Sequence, residues 1–293
     1  EAGTLLPQTF LPAGIAPEAV TIGDVNLDGR LDIVAANYAS NELSIHLGNG
    51  SGQFGAPLKV TVSDGPFDVV LADFNRDGNL DAAARKNNAA EVGVLMGRGD
   101  GTFGPEYRFP VGSPAGALAA VDFNGDGMVD LAVSNAKSSD VSILLGQGDG
   151  AFLPQARFAT EYLPQSLAIG DFDADGRPDL AVGSLSAVNI LLGRGDGTFA
   201  ERLRIGVPPG NASVASADLN RDRADDLAVA STGAVGGFST ASPVSVLFSQ
   251  ALVADTDQDG IPDALDPCVD PDRDGFGDPG FPATSCPVDN CAR

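Results

Sequence analysis

The sequence has few of the side chains on which catalytic and sugar-binding sites commonly depend. Among 293 residues there is no Trp, one His and three Tyr. The single histidine, His46, excludes a histidine-centred triad and a zinc site with several His ligands. We interpret it as an ordinary strand residue. Tyr38, Tyr107 and Tyr162 occupy unrelated places, so no aromatic platform for sugar stacking recurs. The sequence therefore predicts a protein without catalytic residues.

Basic residues and long apolar runs are also scarce. There are 17 Lys and Arg residues against 40 Asp and Glu residues, giving a net charge of −23. Such a surface repels nucleic acid and anionic membranes, so neither is expected as a partner. No apolar run approaches the roughly 20 residues of a membrane-spanning helix, so no membrane insertion is expected. Because 43% of the chain is hydrophobic, we nevertheless expect a folded core.

Cysteine is confined to the end of the chain. Cys268, Cys286 and Cys291 all lie beside acidic loops, a combination that favours an oxidising, calcium-rich exterior over the cytosol. The chain starts at Glu1 without a Met or a signal-peptide pattern, as expected of a mature or trimmed product. We therefore expect a secreted protein, either extracellular or at the cell surface. With three cysteines, one is left unpaired within the chain or pairs with another molecule.

A repeat organises the rest of the sequence. Five segments share an Asp, then Asn or Asp two residues later, then Asp at the fifth position and a closing Asp at the ninth. Their first aspartates are spaced 49, 49, 49 and 47 residues apart. A fixed period of this size indicates a propeller or solenoid. We number these segments loops 1 to 5: residues 24–32, 73–81, 122–130, 171–179 and 218–226.

Short apolar stretches around the loops predict four strands per repeat. One enters the loop (19–22, 69–71, 167–169) and a second leaves it (131–133, 180–182, 227–229). The third alternates apolar with small or polar residues, which predicts a strand with one less buried face (43–47, 92–94, 141–143, 188–190, 244–246). A glycine-rich hairpin ending in Phe103, Phe152 or Phe199 leads to the fourth. Four strands per repeat predict an all-β propeller of four-stranded blades.

The ends of the array predict how the ring closes. Pro7 stands 17 residues before Asp24, as Pro105 stands 17 before Asp122, and residues 7–14 match residues 105–112 in proline and glycine placement. After Phe248 there is no hairpin and no fourth strand. Residues 5–13 are therefore predicted to complete the fifth blade and close a five-bladed β-propeller without exposed edges. This domain spans 1–250, and a second segment spans 251–293.

The chemistry of the loops is that of calcium ligands. Calcium takes about six to eight oxygens, often from alternating loop positions with glycine at position six. Asp and Asn supply side-chain oxygens at positions one, three, five and nine, and position seven offers its backbone carbonyl. The predicted ligands are Asp24, Asn26, Asp28, Arg30 and Asp32; Asp73, Asn75, Asp77, Asn79 and Asp81; Asp122, Asn124, Asp126, Met128 and Asp130; Asp171, Asp173, Asp175, Arg177 and Asp179; and Asp218, Asn220, Asp222, Ala224 and Asp226.

Asp, Asn and Gly also form ordinary turns, but five loops with oxygens in phase favour metal binding. Loop 5 is conditional, because Arg223 replaces the glycine and adds a positive charge. We expect about five Ca²⁺ ions in the propeller.

Residues 15–250 resemble the FG-GAP/VCBS repeats of integrin α-subunit propellers and bacterial surface proteins. The calcium loop carries the resemblance, and the Phe-Gly-Pro element is best preserved at Phe103-Gly104-Pro105. The resemblance implies that the loops bind calcium structurally at the rim of the ring.

The C-terminal segment contains Asp255-Thr-Asp257-Gln-Asp259-Gly260-Ile-Pro-Asp263-Ala-Leu-Asp266-Pro-Cys268, followed by a second run of spaced aspartates. This pattern resembles thrombospondin type 3 repeats. Such repeats wrap around calcium with almost no apolar core, and disulfides link successive units. The resemblance implies one or more further Ca²⁺ ions. The predicted ligands are Asp255, Asp257, Asp259, Ile261, Asp263 and Asp266, then Asp270, Asp272, Asp274, Phe276 and Asp278.

Three functions remain to be weighed. The first is a non-enzymatic extracellular module, a rigid platform for protein–protein interaction, adhesion, or surface or filament assembly, with a protein partner or self-assembly. The second is a lectin-like propeller that binds a glycan, and the third is an accessory domain of a larger secreted enzyme. Arg98-Gly99-Asp100 and Arg194-Gly195-Asp196 spell an integrin-binding tripeptide. Gln147 replaces the Arg in the third repeat, so we interpret both as parts of the hairpin.

Overall fold

Consecutive strands of each repeat pair into an antiparallel sheet. The computed structural model describes residues 8–87, 89–112, 115–200, 202–210, 212–232 and 244–249. These residues form five sheets, and they include no helix. Accordingly, the described ranges hold no helix long and apolar enough to cross a membrane. The predicted all-β class is confirmed.

Strand order within each sheet follows the chain. Sheet 1 contains β1 (Pro17–Gly23), β2 (Asp32–Asn37), β3 (Glu42–His46) and β4 (Leu58–Thr61). Sheet 2 contains β5 (Pro66–Ala72), β6 (Asp81–Lys86), β7 (Glu91–Gly97) and β8 (Phe103–Pro110). Sheet 3 contains β9 (Ala115–Val121), β10 (Asp130–Asn135), β11 (Asp140–Leu144) and β12 (Ala156–Ala159). Sheet 4 contains β13 (Ser166–Gly170), β14 (Asp179–Gly183), β15 (Ala187–Leu191) and β16 (Leu203–Gly206). Sheet 5 contains β17 (Ala212–Ala217), β18 (Asp226–Ser231) and β19 (Val244–Leu247).

The register of the first two strands places the acidic loops. Every loop is closed by a pair between the last residue of the first strand and the ninth loop residue. In sheet 1 this pair is Gly23 and Asp32, and in sheet 3 it is Val121 and Asp130. The same pair recurs in sheets 2, 4 and 5. All five loops therefore start and end at the same structural positions, as the repeat predicts.

Apolar side chains fill the space between consecutive sheets in four clusters. The third strands β7, β11 and β15 are buried along nearly their whole length. The prediction that one face of this strand is less buried was wrong, because a sheet packs on each side. Its polar residues are buried in hydrogen-bonded pairs. Ser44 accepts from the Asn37 amide at 2.9 Å, and Ser142 accepts from Asn135 at 2.7 Å.

The recurring phenylalanines of the hairpins lie in these clusters, as predicted. Phe103, Phe152 and Phe199 are buried. Phe152 meets Phe74 edge to face with ring centroids 5.5 Å apart, and Phe199 meets Phe123 in the same way at 5.6 Å. These contacts join the hairpin of one sheet to the loop of the preceding sheet, since Phe74 and Phe123 belong to loops 2 and 3.

The outward faces of sheets 1 and 5 are apolar and exposed. Val20 of β1 is 66% exposed, whereas Val69 at the same place in sheet 2 is 3% exposed. Likewise Val244 of β19 is 67% exposed, whereas Val92 at the equivalent place in β7 is fully buried. Both terminal sheets thus carry a face that their repeat equivalents bury against a neighbouring sheet.

Residues 8–14 form no strand, although residues 5–13 are predicted to pair with sheet 5; residues 5–7 lie outside the described part. The segment nevertheless lies along sheet 1 as the end of β8 lies along sheet 3. The Gly14 amide donates to Asn37 Oδ1 at 3.1 Å, and the Gly112 amide donates to Ser142 Oγ at 3.3 Å. Residues 11–12 share a cavity with residues 54–56, and residues 109–110 share the equivalent cavity with residues 152–154.

Candidate metal centre

The first ligand position of each loop directly follows the first strand, and the ninth begins the second strand. Between them, side-chain oxygens turn into the loop to accept its own backbone amides. In loop 3, Asp126 N donates to Asn124 Oδ1 at 3.0 Å, and Gly127 N donates to Asp122 Oδ2 at 2.7 Å. Met128 N donates to Asp126 Oδ1 at 2.8 Å. Equivalent bonds occur in the other four loops. The side-chain oxygens predicted to bind the metal thus lie within each loop.

The ninth position has a structural role that the sequence reasoning missed. All five aspartates at this position are fully buried. Asp130 accepts from Phe123 N at 2.9 Å through Oδ2 and from Gly146 N at 2.7 Å through Oδ1. The residue at position two and the hairpin glycine are held in the same way in loops 1, 2 and 4. This carboxylate therefore ties the loop to the hairpin of its own sheet.

Two positions in each loop, the fourth and the sixth, adopt a left-handed backbone. At position six, Gly29, Gly78, Gly127 and Gly176 have φ between 79° and 85°. Arg223 takes the same conformation, with φ of 81°. Its amide donates to Asp218 Oδ2 at 3.2 Å, as the glycine amides do in the other loops. Loop 5 therefore keeps the shape of the others despite an unfavourable residue, which costs about 1 kcal/mol.

Loop 4 brings three carboxylates close together. Asp171, Asp173 and Asp179 each place a carboxylate oxygen within 4.8 Å of the other two, the one such acidic group in the described part of the chain. Burial, reinforced by the neighbouring Asp173 and Asp175, raises the pKa of Asp179 to about 7. Burial and the charge of Asp175 also raise the pKa of Asp173. Crowded carboxylates of this kind favour a bound cation, and an all-oxygen donor set suits a hard ion such as Ca²⁺.

These shifts predict an unusual pH dependence for the metal-free protein. Burial raises the pKa of Asp81 and Asp130 to about 6 and that of Asp179 to about 7. The folded state therefore binds more protons than the unfolded state between the ordinary aspartate pKa and about 7. In EDTA, we expect the melting temperature to rise as the pH is lowered from 7.5 to 5.5. With calcium present, protons compete with the ion and the trend should reverse. A melting temperature in EDTA that falls as the pH is lowered from 7.5 to 5.5 would contradict the raised pKa values of these three aspartates.

The Arg-Gly-Asp turns use their aspartates internally. Asp100 Oδ1 accepts from both Thr102 N, at 2.9 Å, and Thr102 Oγ1, at 2.6 Å. These bonds lower the pKa of Asp100. Asp196 makes the same pair of bonds to Thr198. Each aspartate closes its hairpin, which supports the interpretation of both tripeptides as parts of the repeat.

One non-repeated polar cluster, which the sequence did not predict, lies where the chain passes from sheet 1 to sheet 2. Lys86 is fully buried, and its Nζ lies 2.5 Å from Ser63 Oγ, 3.1 Å from Glu91 and 2.9 Å from Glu106. Asn37 and Asn135 stand at the equivalent positions of sheets 1 and 3. The ammonium donates to Ser63, in the connection between β4 and β5, and to Glu91, and it forms an ion pair with Glu106, so both carboxylates compensate the buried charge within sheet 2.

The remaining predicted ligands lie outside the described residues. These are the tail loops between Asp255 and Asp278. The three cysteines also lie outside the described residues, as do residues 233–242 between β18 and β19.

A family comparison identifies the repeat. The FG-GAP-like repeat matches residues 24–84, 122–182 and 171–229, together more than half of the chain. The chain belongs to the FG-GAP repeat family. The matched segments contain all five loops. A search of curated proteins gave no match.

Solved structures with a similar fold support a propeller-like FG-GAP architecture. An Agrocybe aegerita lectin that recognises non-reducing terminal N-acetylglucosamine aligns with a TM-score of 0.51 and 21% identity over 79% of this chain and 66% of its own. A Lactobacillus plantarum protein aligns with a TM-score of 0.53 and 15% identity over 81% and 72%. A functionally unknown Desulfotomaculum acetoxidans protein aligns with a TM-score of 0.51 and 15% identity over 77% and 68%. At these identities the likeness concerns the fold alone.

Proposed function

We propose that this FG-GAP protein is a non-enzymatic, extracellular calcium-binding module. One observation carries the proposal: five loops in phase gather carboxylate and amide oxygens at the same structural positions. In each loop the ligands would be the side chains at positions one, three, five and nine and the carbonyl at position seven. Bound calcium would neutralise the carboxylates that crowd loop 4. The tail, which resembles thrombospondin type 3 repeats, is proposed to bind one or more further ions.

We also propose that the sheets close into a five-bladed ring, with residues 5–13 as the outer strand of the fifth blade. Residues 11–14 already lie along sheet 1 in the way that the end of β8 lies along sheet 3. The exposed valines Val20 and Val244 stand where the other sheets bury apolar residues. Packing sheet 1 against sheet 5 removes both apolar faces from water, which gives closure its driving force.

A matched pair of substitutions tests closure. Val20→Asp changes the exposed face of β1, and Val69→Asp changes the equivalent buried residue of β5, which is 3% exposed. In a closed ring both bury an uncompensated carboxylate, so each should lower the free energy of unfolding by about 2 kcal/mol or more. Urea denaturation in calcium buffer measures both. If Val20→Asp is neutral while Val69→Asp destabilises, the faces of sheets 1 and 5 do not meet.

The role proposed for this ring is that of a rigid platform for protein–protein interaction, adhesion, or surface or filament assembly. Many of the charged groups of the repeat belong to the loops or to buried ion pairs, such as those of Lys86 with Glu91 and Glu106. A sugar site at the recurring aromatic position is disfavoured, because Phe103, Phe152 and Phe199 are buried. A glycan array separates the two functions. Calcium-dependent binding to a defined glycan would replace the platform by a lectin.

A further inference from the structure

Loops 4 and 5 are joined by a reciprocal pair of hydrogen bonds through Asp225. The Asp225 amide donates to the Asp171 carbonyl at 2.8 Å, and the Asp171 amide donates to Asp225 Oδ2 at 3.1 Å. Asp171 is the first residue of loop 4, and Asp225 is the eighth residue of loop 5. The two loops are 47 residues apart in the repeat, so this is a link between neighbouring sheets.

In loop 2 the eighth position also reaches the preceding sheet, beside the start of loop 1, but through an apolar contact. In loop 2, Leu80 lies so close to Gly23 that a Cβ there would stand 2.7 Å from its Cδ1. In loops 3 and 4 the position holds Val129 and Pro178. None of these side chains accepts a hydrogen bond, and Pro178 has no amide proton to donate. Asp225 therefore converts an apolar contact into a directional one.

Asp225 is flanked by two predicted ligand positions of loop 5. Ala224 offers its carbonyl at position seven, and Asp226 stands at position nine; both residues are fully buried. The Asp225 carbonyl accepts from Ser249 Oγ at 2.6 Å, which holds it from the side of β19. A displacement of Asp171 is thus transmitted to the backbone that carries two of the loop 5 donors.

We propose that Asp225 couples the metal sites of loops 4 and 5, an inference that rests on the proposed calcium function. An ion in loop 4 fixes Asp171, and the reciprocal bonds then fix Asp225 and the donors on either side of it. Loop 5 carries Arg223 at position six and is the weaker site, so the effect of this ordering is measured there. Because coupling between two sites is mutual, filling loop 5 strengthens loop 4 by the same factor. Asp225 is a positioning residue and not itself a ligand.

Calcium titration of the full chain, followed by NMR, tests the coupling site by site. The amide of Gly176 reports loop 4, and the amide of Ala224 reports loop 5. Asp175→Ala disables loop 4 at position five without removing a group that contacts Asp225. We expect it to raise the calcium midpoint at Ala224 about fivefold or more, the lower range of allosteric coupling. The matched control Asp126→Ala disables loop 3 and should leave the midpoint at Gly176 unchanged, because Pro178 provides no link.

Substitutions of Asp225 complete the test. Asp225→Pro reproduces the residue of loop 4 and removes both bonds, so Asp175→Ala should no longer affect Ala224. Asp225→Leu, the residue type at this position in loops 1 and 2, removes the acceptor alone and should weaken the coupling. It replaces the proline variant if that variant fails to fold. Asp225→Asn keeps an acceptor oxygen and should retain it. Coupling that survives in the proline and leucine variants, or that is lost in Asp225→Asn, overturns the proposal. If both amides respond to calcium but the two loops are not coupled, the coupling proposal is overturned and the calcium function is not. If neither amide responds, the calcium function is overturned as well.

Discussion

Removal of calcium with EDTA should lower the melting temperature of the protein by about ten degrees or more. A site filled at one hundred times its dissociation constant stabilises the folded state by about 2.7 kcal/mol. Each kcal/mol shifts the melting temperature of a domain of this size by roughly 2–4 °C. Loops 1 to 4 carry all the side-chain ligands and the glycine at position six. Four bound ions should therefore stabilise the folded state by more than any single contact does. Differential scanning calorimetry with and without EDTA measures the shift.

The controls separate calcium from ionic strength and from chelator effects. Excess calcium added after EDTA should restore the original melting temperature, whereas an equivalent amount of NaCl should not. Limited proteolysis should show the same pattern, with rapid cleavage only after chelation. An unchanged melting temperature and unchanged protease sensitivity in EDTA would mean that calcium does not hold this fold together.

Asp130→Ala and Asp126→Ala are predicted to differ already in the absence of metal. Asp126 is exposed, and its bonds are to neighbouring groups of the same loop. Asp130 is buried and accepts from Phe123 N and Gly146 N. Removing it leaves two buried amides unsatisfied, at about 1–3 kcal/mol each. In EDTA, Asp130→Ala should therefore lower the free energy of unfolding by about 2 kcal/mol or more, and Asp126→Ala by less than about 1 kcal/mol.

In calcium each variant also loses a ligand, so both costs should rise by a similar amount and the difference between the variants should persist. Asp126→Ala should then cost about 2.7 kcal/mol more than in EDTA, the contribution of one site at the occupancy assumed above. Urea denaturation of both variants with and without calcium gives the four values. Equal effects in EDTA would contradict the anchoring role of position nine, and no additional cost for Asp126→Ala in calcium would contradict its role as a ligand.

The sequence was sufficient to predict the strands and the loops because both repeat. A strand before Asp122 and another from Asp130 follow from apolar stretches on either side of an acidic turn, and the structure places β9 and β10 there. The burial of Phe103, Phe152 and Phe199 was predicted for the same reason, since one residue type recurred at one position.

Features that depend on neighbouring sheets were not predictable from a single repeat. The ninth aspartate is an anchor because a hairpin glycine, 14 to 16 residues later in loops 1–4, points its amide at it. The third strands are buried on both faces because sheets pack on each side, which an alternating pattern such as that of residues 141–143 does not reveal. Lys86 pairs with Glu91 and Glu106 and donates to Ser63 of the preceding connection, and no repeated sequence spacing relates these residues. Asp225 is adjacent to Asp171 only through the packing of sheets 4 and 5.

The most direct test of the account is the number of calcium ions that the intact chain binds and the loops that hold them. Equilibrium dialysis of the metal-free chain against radioactive calcium gives the stoichiometry. Asp28→Ala, Asp77→Ala, Asp126→Ala and Asp175→Ala each change position five of one loop and leave the tail untouched. The substitutions in loops 1, 2 and 3 should each lower the stoichiometry by one ion. The loss of loop 4 should also weaken loop 5. Unchanged stoichiometry in all four variants would contradict the assignment of calcium to the propeller loops.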